Sequence, residues 1–254
     1  MRGAPCKASG FLIGLICMDS YWQLLAWGNQ GWGDEFAHGL LMTLQVSVVA
    51  FAVSFFFGFT AASGKLSRSR FTKAIADLYT TVVRALPELL VILLLYFSVA
   101  TGAERFLKAT GLVGNDFQFS AFWAAIIALA FVNGAFMTEV LRASYLAIPR
   151  GQIEAALSIG MRRRQIFTRV TFPQMMRHAV PGIGNLWLSI TKESAIISVL
   201  GSFHELLYTG YRAAASTKQY VFFYGLTAFL FLGITLTSVL IIARLEKRLS
   251  RGHG

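Results

Sequence analysis

Residues 36–62 read FAHGLLMTLQVSVVAFAVSFFFGFTAA, a run of 27 positions that contains no Asp, Glu, Lys or Arg. A helix of that length is about 40 Å long, and about 20 apolar residues are enough to cross the hydrocarbon core of a bilayer. The run therefore predicts a transmembrane helix. Outward from it, further apolar runs occupy residues 78–100, 119–141, 179–200 and 220–243. The predicted fold class is an all-α membrane protein with five spanning helices in one bundle.

The composition of the whole chain agrees with that fold class. Of 254 residues, 56% are hydrophobic and only 14% are charged, and 22 are Phe. Soluble domains have roughly 25% charged and about 45–50% apolar residues. An ordinary soluble domain is therefore excluded, and the lipid bilayer becomes the first expected partner.

The basic residues, which give a net charge of +11, predict the topology. Six Lys and Arg lie before the first run, in the second loop and in the fourth loop: Arg2, Lys7, Arg105, Lys108, Arg212 and Lys218. Fifteen lie in the first loop, the third loop and the tail: Lys65, Arg68, Arg70, Lys73, Arg142, Arg150, Arg162, Arg163, Arg164, Arg169, Arg177, Arg244, Lys247, Arg248 and Arg251. Because cytoplasmic loops are the basic ones, the N-terminus is expected outside and the C-terminus inside. The basic excess reflects topology, and no nucleic-acid partner is expected.

The chain divides into an external segment at 1–35, a membrane domain at 36–246 and a basic cytoplasmic tail at 247–254. Residues 1–17 imitate a short signal peptide, and the alternative is that Met18 is the initiator and that they are an upstream extension. A sixth span at 11–27 is disfavoured by Asp19 in its middle. Cys6 and Cys17 form neither a metal-ligand spacing nor a disulfide framework.

Polar residues inside the apolar runs are candidates for function, since hydrocarbon penalises charge. The candidates for a substrate pathway are Glu88, Asn133, Glu139, Lys192 and Glu193. Glu139 has Arg142 three residues later and Glu88 has Arg84 one turn earlier, so each has a local partner at helical spacing. Glu193 has none, because its neighbour Lys192 points about 100° away around the helix. A structural ion-pair network is the alternative to a substrate role for all of these charges.

The catalytic motifs that we considered are incomplete or absent in this sequence. His204-Glu205 begins an H-E-x-x-H pattern, but Tyr208 stands where the second zinc-binding histidine is required. No G-x-S-x-G sequence is present, and the four histidines are scattered. We therefore expect neither an enzyme nor a metal site, although an intramembrane enzyme stays open as an alternative.

The third loop, residues 142–177, is too long for a tight turn and has a helical pattern. Ile153, Ala156 and Leu157 recur at helical spacing, which predicts a short amphipathic helix. Gly160 can end that helix with a left-handed residue. A second amphipathic series is expected to close before Pro173. Such a cytoplasmic pair of helices can lie on lipid or dock into a soluble protein, and spacing alone does not choose between them.

The order of residues in this loop resembles the EAA loop of ABC importer permeases, E-A-A-x3-G-x9-I-x-L-P. Glu154-Ala155-Ala156 is followed by Gly160 and then by Val170-Thr171-Phe172-Pro173, with conservative departures at Val170 and Phe172. Flanking sequences at 84–90 (RALPELL), 139–142 (EVLR), 148–151 (IPRG) and 175–185 (MMRHAVPGIGN) resemble permeases for polar amino acids, of the histidine/lysine/arginine/ornithine and opine type. The likeness covers about residues 34–250.

That resemblance implies a five-helix permease core in the bacterial inner membrane, with a coupling loop at about 146–175. It implies an ATPase-coupling surface made of Ile153, Glu154, Ala155, Ala156, Leu157, Gly160 and Pro173. The implied partners are a cytoplasmic ABC ATPase dimer, a second permease subunit or a second copy of this chain, and a periplasmic amino-acid-binding protein. ATP and magnesium would bind the ATPase, and no cofactor is expected on this chain.

The expected function is import of polar, basic amino acids or opines, in which Glu193 helps to bind a cationic substrate group. The alternatives are an intramembrane enzyme and a secondary transporter. A secondary transporter normally shows internal repeats, and five spans do not divide evenly.

Overall fold

The computed structural model describes residues 24–28, 31–112, 114, 116–198 and 204–250, and these residues form helices without a strand. The expectations for Met18 and for a sixth span concern residues that lie outside or largely outside this part. The helices are α1 (Gly33–Lys65), α2 (Arg70–Ala85), α3 (Glu88–Ala109), α4 (Ala121–Leu146), α5 (Arg150–Ser158), α6 (Arg163–Ile166), a π-helical segment (Phe167–Thr171), α7 (Phe172–Ser198), α8 (Leu206–Thr217) and α9 (Tyr220–Ser250). The all-α fold class is confirmed.

Among the described residues, four helices are long and apolar enough to cross a membrane: α1, α3, α4 and the Tyr220–Leu249 part of α9. Helix α7 is 27 residues long, which is sufficient length, but it carries Asn185, Lys192 and Glu193. Its polar residues keep it outside the apolar set, so the count of five spans stays a prediction.

The run at 78–100 is not one helix, contrary to the sequence interpretation. Helix α2 ends at Ala85, Leu86 is extended with φ −97° and ψ 153°, and α3 begins after Pro87. A proline pushes the preceding residue out of the helical region and is well tolerated at a helix start. Arg84 and Glu88 therefore lie on different helices, and the Arg84 guanidinium lies 5.5 Å from the ring centre of Phe136.

Helix α4 is the centre of the bundle and contacts α1, α2, α3 and α7. Five of its alanines are fully buried: Ala124, Ala125, Ala128, Ala130 and Ala135. Small side chains allow helix axes to approach closely. On the facing helix, a Cβ at Gly58 would overlap Met137 of α4. Glycine is thus required where α1 crosses α4.

Helix α9 forms an outer wall, as its apolar sequence predicts. Its Phe229, Leu232, Leu236 and Leu240 side chains are exposed on the surface of the single chain. At its beginning, Phe223 stacks on Phe36 of α1 with ring centres 6.0 Å apart. This aromatic contact joins the two outer helices where α8 packs against both of them.

The sequence predicted that the second amphipathic series ends before Pro173, and this prediction is wrong. Helix α6 continues through the π-helical segment directly into α7, which starts at Phe172. A proline inside an α-helix clashes with the carbonyl four residues earlier, and a π-helical turn places the backbone differently at that point. Pro173 therefore lies in a continuous helix that links the third loop to the core.

Candidate functional site

Helix α5 ends in a Schellman motif at Gly160. The Gly160 N–H donates to the Leu157 carbonyl over 2.9 Å, and the Met161 N–H donates to the Ala156 carbonyl over 3.1 Å. Gly160 has φ +79°, which is the left-handed conformation that this motif requires and that glycine adopts without steric cost. The bend predicted from the sequence is present.

The exposed face of α5 differs from the apolar face that the spacing indicated. Ala156 is 5% exposed, and α5 packs against the π-helical segment. Leu157 and Ile159 are 53% and 78% exposed, and Glu154 and Ala155 are also exposed. The larger exposed side chains of this segment thus include Glu154, Leu157 and Ile159. Ile159 was missed because it lies just past the helix, where helical spacing gives no signal.

An ion-pair network joins three helices at the expected cytoplasmic end. Lys65 Nζ lies 2.5 Å from a Glu139 oxygen and 3.1 Å from Asp77 Oδ1. Arg142 Nε donates to the other Glu139 oxygen over 3.1 Å, which confirms the expected local pair. Glu139 is thus held by two cations, so the geometry favours a structural role for it over a substrate role. Lys65 and Asp77 were missed, because their partners are distant in sequence.

A buried polar cluster lies where α3, α4 and α7 meet. Asn133 Nδ2 donates to Glu193 Oε2 over 2.7 Å and also to the Leu129 carbonyl. The Glu88 carboxyl lies beside that of Glu193. Asn133 is 1% exposed and Glu193 is 9% exposed, while Lys192 points to the surface. Three of the predicted residues thus come together, with Lys192 adjoining.

This cluster contains more acceptors than donors. Its members are two carboxyl groups and one amide, and Asn133 Oδ1 has no hydrogen-bond partner. A buried acceptor without a donor costs free energy, so a group with several N–H donors would be favoured there. Within the described part of the chain, no group of three His, Cys, Asp or Glu is arranged to hold a metal ion.

Comparison with known proteins places these features in a family. Residues 54–251 match the family described as "Binding-protein-dependent transport system inner membrane component". The chain is 41% identical to the nopaline transport system permease protein NocQ of Agrobacterium fabrum, over 90% of this chain and 97% of that protein. It is 34% identical to the histidine/lysine/arginine/ornithine transport system permease protein HisQ of Escherichia coli, over 87% and 96%.

Solved structures give the same fold. A chain of an amino acid ABC transporter crystallised with histidines superimposes with a TM-score of 0.72 and 29% identity, covering 95% of this chain and all of that one. A chain of the inward-facing methionine transporter MetNI gives a TM-score of 0.66 at 17% identity, over 91% and 98%. The chain belongs to the family of binding-protein-dependent transport system inner membrane components, the permease subunits of ABC importers.

Proposed function

We propose that this chain is the permease subunit of an importer that moves polar, basic amino acids or opines across the bacterial inner membrane. The observation that carries this proposal is the similarity, over 90% and 87% of this chain, to permeases named for nopaline and for histidine, lysine, arginine and ornithine. The acceptor-rich cluster around Glu193 suits cations with several N–H donors, which such substrates carry.

The proposed topology has five spans, α1, α3, α4, α7 and α9, with the N-terminus outside and the C-terminus inside. The basic residues of the first and third loops support it. A periplasmic amino-acid-binding protein delivers the substrate, and a cytoplasmic ABC ATPase dimer binds ATP and magnesium. A second permease subunit, or a second copy of this chain, completes the pathway.

The coupling surface is Glu154, Leu157 and Ile159, supported by the residues that shape it. Ile153, Ala155 and Ala156 form the helix, Gly160 sets the bend, and Pro173 lies in the helix that leads on to α7. Two exposed apolar side chains beside one charge suit a groove on the ATPase. Since α5 leads into α6, the π-helical segment and α7 with only short breaks, a displacement of α5 is passed to the helix that holds Glu193.

Glu193 is proposed to bind the cationic group of the substrate, with Asn133 and Glu88 beside it. Asn133 orients the Glu193 carboxyl through the 2.7 Å hydrogen bond. Glu88 begins α3 immediately after the Pro87 break, so it can move with α3 relative to α2. The cluster around Glu193 would become accessible from one side of the membrane and then from the other as the helices shift.

The test is uptake by the reconstituted complex. Proteoliposomes with this chain, its ATPase, its second permease and its binding protein are given labelled arginine, lysine, histidine, octopine or nopaline. We expect uptake that requires ATP inside and that stops when the ATPase carries a substitution at its catalytic glutamate.

Uptake that persists with that inactive ATPase would favour a secondary transporter. Chemical conversion of the substrate by this chain alone would favour an intramembrane enzyme. Either result would contradict the proposed function.

A further inference from the structure

A surface groove with a volume of about 340 Å³ lies between α1 and α2. Its lining includes Phe57, Thr60 and Ala61 of α1, Ile75 and Tyr79 of α2, and Phe131 of α4. Residues three and four apart share one face of a helix, so the groove follows the line along which α1 and α2 lie side by side.

The groove offers an occupant almost nothing but carbon. Each hydroxyl hydrogen of its lining is donated to a backbone carbonyl: Thr60 to Phe56 over 2.8 Å, Thr72 to Ser69 over 3.1 Å, and Tyr79 to Phe131 over 2.6 Å. A polar ligand that entered the groove would exchange hydrogen bonds with water for contacts with methyl groups and aromatic rings. The groove therefore favours an apolar occupant.

An exposed apolar stripe on α2 continues the surface of the groove. It consists of residues spaced by four, three and four positions: Phe71, Ile75, Leu78 and Val82. Phe71 and Leu78 are 74% and 66% exposed, whereas Ala76 is buried on the side of α2 that packs on the bundle. Because Ile75 belongs to both the stripe and the groove, the two form one apolar surface.

One end of this groove is closed by basic residues. Gly64 and Thr72 line that end, and the turn at residues 66–69 connects the two helices there. Arg68 lies in the turn, and Arg70 and Lys73 lie in the first turn of α2. All three are exposed, and none makes an ion pair with a described residue. Three cations thus lie close to the mouth of an apolar groove.

We propose that this groove binds an anionic phospholipid of the cytoplasmic leaflet, with an acyl chain between α1 and α2 and the phosphate at Arg68. A helix with an apolar stripe and basic residues is typical of segments that lie in the membrane interface. Basic clusters on the cytoplasmic side attract anionic lipid headgroups. A phospholipid supplies carbon to the groove and negative charge to its mouth in one molecule, whereas a free phosphate leaves the groove unfilled.

This lipid site is independent of the transported substrate. The proposed topology, which places the first loop in the cytoplasm, enters only in naming the leaflet. A lipid in the groove would contact α1 and α2 together, beside the Lys65–Asp77 ion pair that joins the same two helices.

The complex of this chain with its second permease and its ATPase, in detergent, provides the test. Native mass spectrometry measures the binding of phosphatidylglycerol, which is anionic, and of phosphatidylcholine, which is zwitterionic. Wild type is expected to bind phosphatidylglycerol more tightly. Arg68→Gln should weaken that binding about fivefold, the effect of one basic residue at an anionic surface, and should affect phosphatidylcholine less. The matched control is Arg105→Gln, an exposed arginine near the other end of the membrane domain, which should change neither affinity.

A second variant tests the groove itself. Thr60→Trp places a large ring in the groove and should lower the binding of both lipids. Ser63→Trp is its control, because Ser63 is also exposed on α1, lies outside the groove lining and donates its hydroxyl to a carbonyl of its own helix. Glycerol phosphate, which has the anionic group without acyl chains, should not displace the bound lipid.

Equal binding of the two lipids by wild type would overturn the proposal, as would wild-type phosphatidylglycerol binding in both Arg68→Gln and Thr60→Trp. Displacement by glycerol phosphate would mean an anion site without a lipid. If Thr60→Trp separates the two permease subunits and Ser63→Trp does not, the neighbouring subunit occupies the groove, and the proposal fails. ATP-driven uptake by wild type judges the proposed function separately, since lipid binding is measured without a transported substrate.

Discussion

Gly160 shows how one residue sets the shape of the proposed coupling segment. Its φ of +79° closes the Schellman motif and turns the chain so that Ile159 stands exposed beside Leu157. A Cβ at Gly160 would meet no atom within 4 Å, so the requirement for glycine is purely conformational. A side chain would have room at this position, but a residue with a Cβ disfavours the left-handed backbone conformation.

Gly160→Val should uncouple transport from the ATPase without preventing membrane insertion. The left-handed conformation costs a β-branched residue roughly 1–2 kcal/mol. Glu154→Lys should act at the same surface by reversing its charge. Uptake and substrate-stimulated ATPase activity are the measurements, with Gly151→Ala, at the exposed start of α5, as the control. Wild-type uptake with normal ATPase association in both variants would refute the coupling assignment.

Glu193→Gln should lower the uptake of a basic substrate about tenfold, since an ion pair with the substrate becomes a neutral hydrogen bond. Glutamine keeps the shape and can still contact Asn133. Basal ATPase activity and complex assembly should persist. The control is Glu246→Gln, a half-buried position near the end of α9. Unchanged uptake kinetics for every basic substrate tested would remove Glu193 from the site.

The contact between α1 and α4 illustrates what holds the elements together. Neither helix has a strong amphipathic pattern, because both meet protein or lipid on every side. Hydrophobicity therefore does not decide which faces of α1 and α4 contact each other, since lipid is as apolar as the protein core. The close fit at Gly58 and Met137 decides it instead.

Gly58→Leu should destabilise the folded chain by about 1–3 kcal/mol, the usual cost of overpacking. Gly102→Leu is the matched control, because a Cβ at Gly102 of α3 meets no atom within 4 Å. The effect is measured by heating each variant in detergent and recording the fraction of protein that stays monodisperse at each temperature. Equal melting of the two variants would mean that α1 and α4 do not approach as closely as described.

Over the whole molecule, the predicted sidedness can be tested with single cysteines. Cys6→Ser and Cys17→Ser remove the native thiols. In that background Thr110→Cys, at the end of α3, should react with a membrane-impermeant maleimide in intact spheroplasts. Ser158→Cys, at the end of α5, should react only after the membrane is opened. Both positions are exposed, so accessibility differs by side alone. The reverse pattern would invert the topology.

The sequence by itself determined the all-α fold class and the family, and it predicted the bend at Gly160. Residues 36–62 predict a membrane-spanning helix from their apolar composition, which can be read without knowing what the rest of the chain does. Gly160 and the Arg142–Glu139 pair could be predicted because a helix cap and a spacing of three residues are short-range features.

Only the tertiary structure decided which polar residues meet. Asn133 and Glu193 are 60 residues apart, and Lys65 and Glu139 are 74 residues apart. No local pattern encodes such pairs. The chain breaks at Pro87 into α2 and α3, and each of these two helices packs against α4. The direction of Lys192, outward, could be known only once the buried side of α7 was defined by the helices around it.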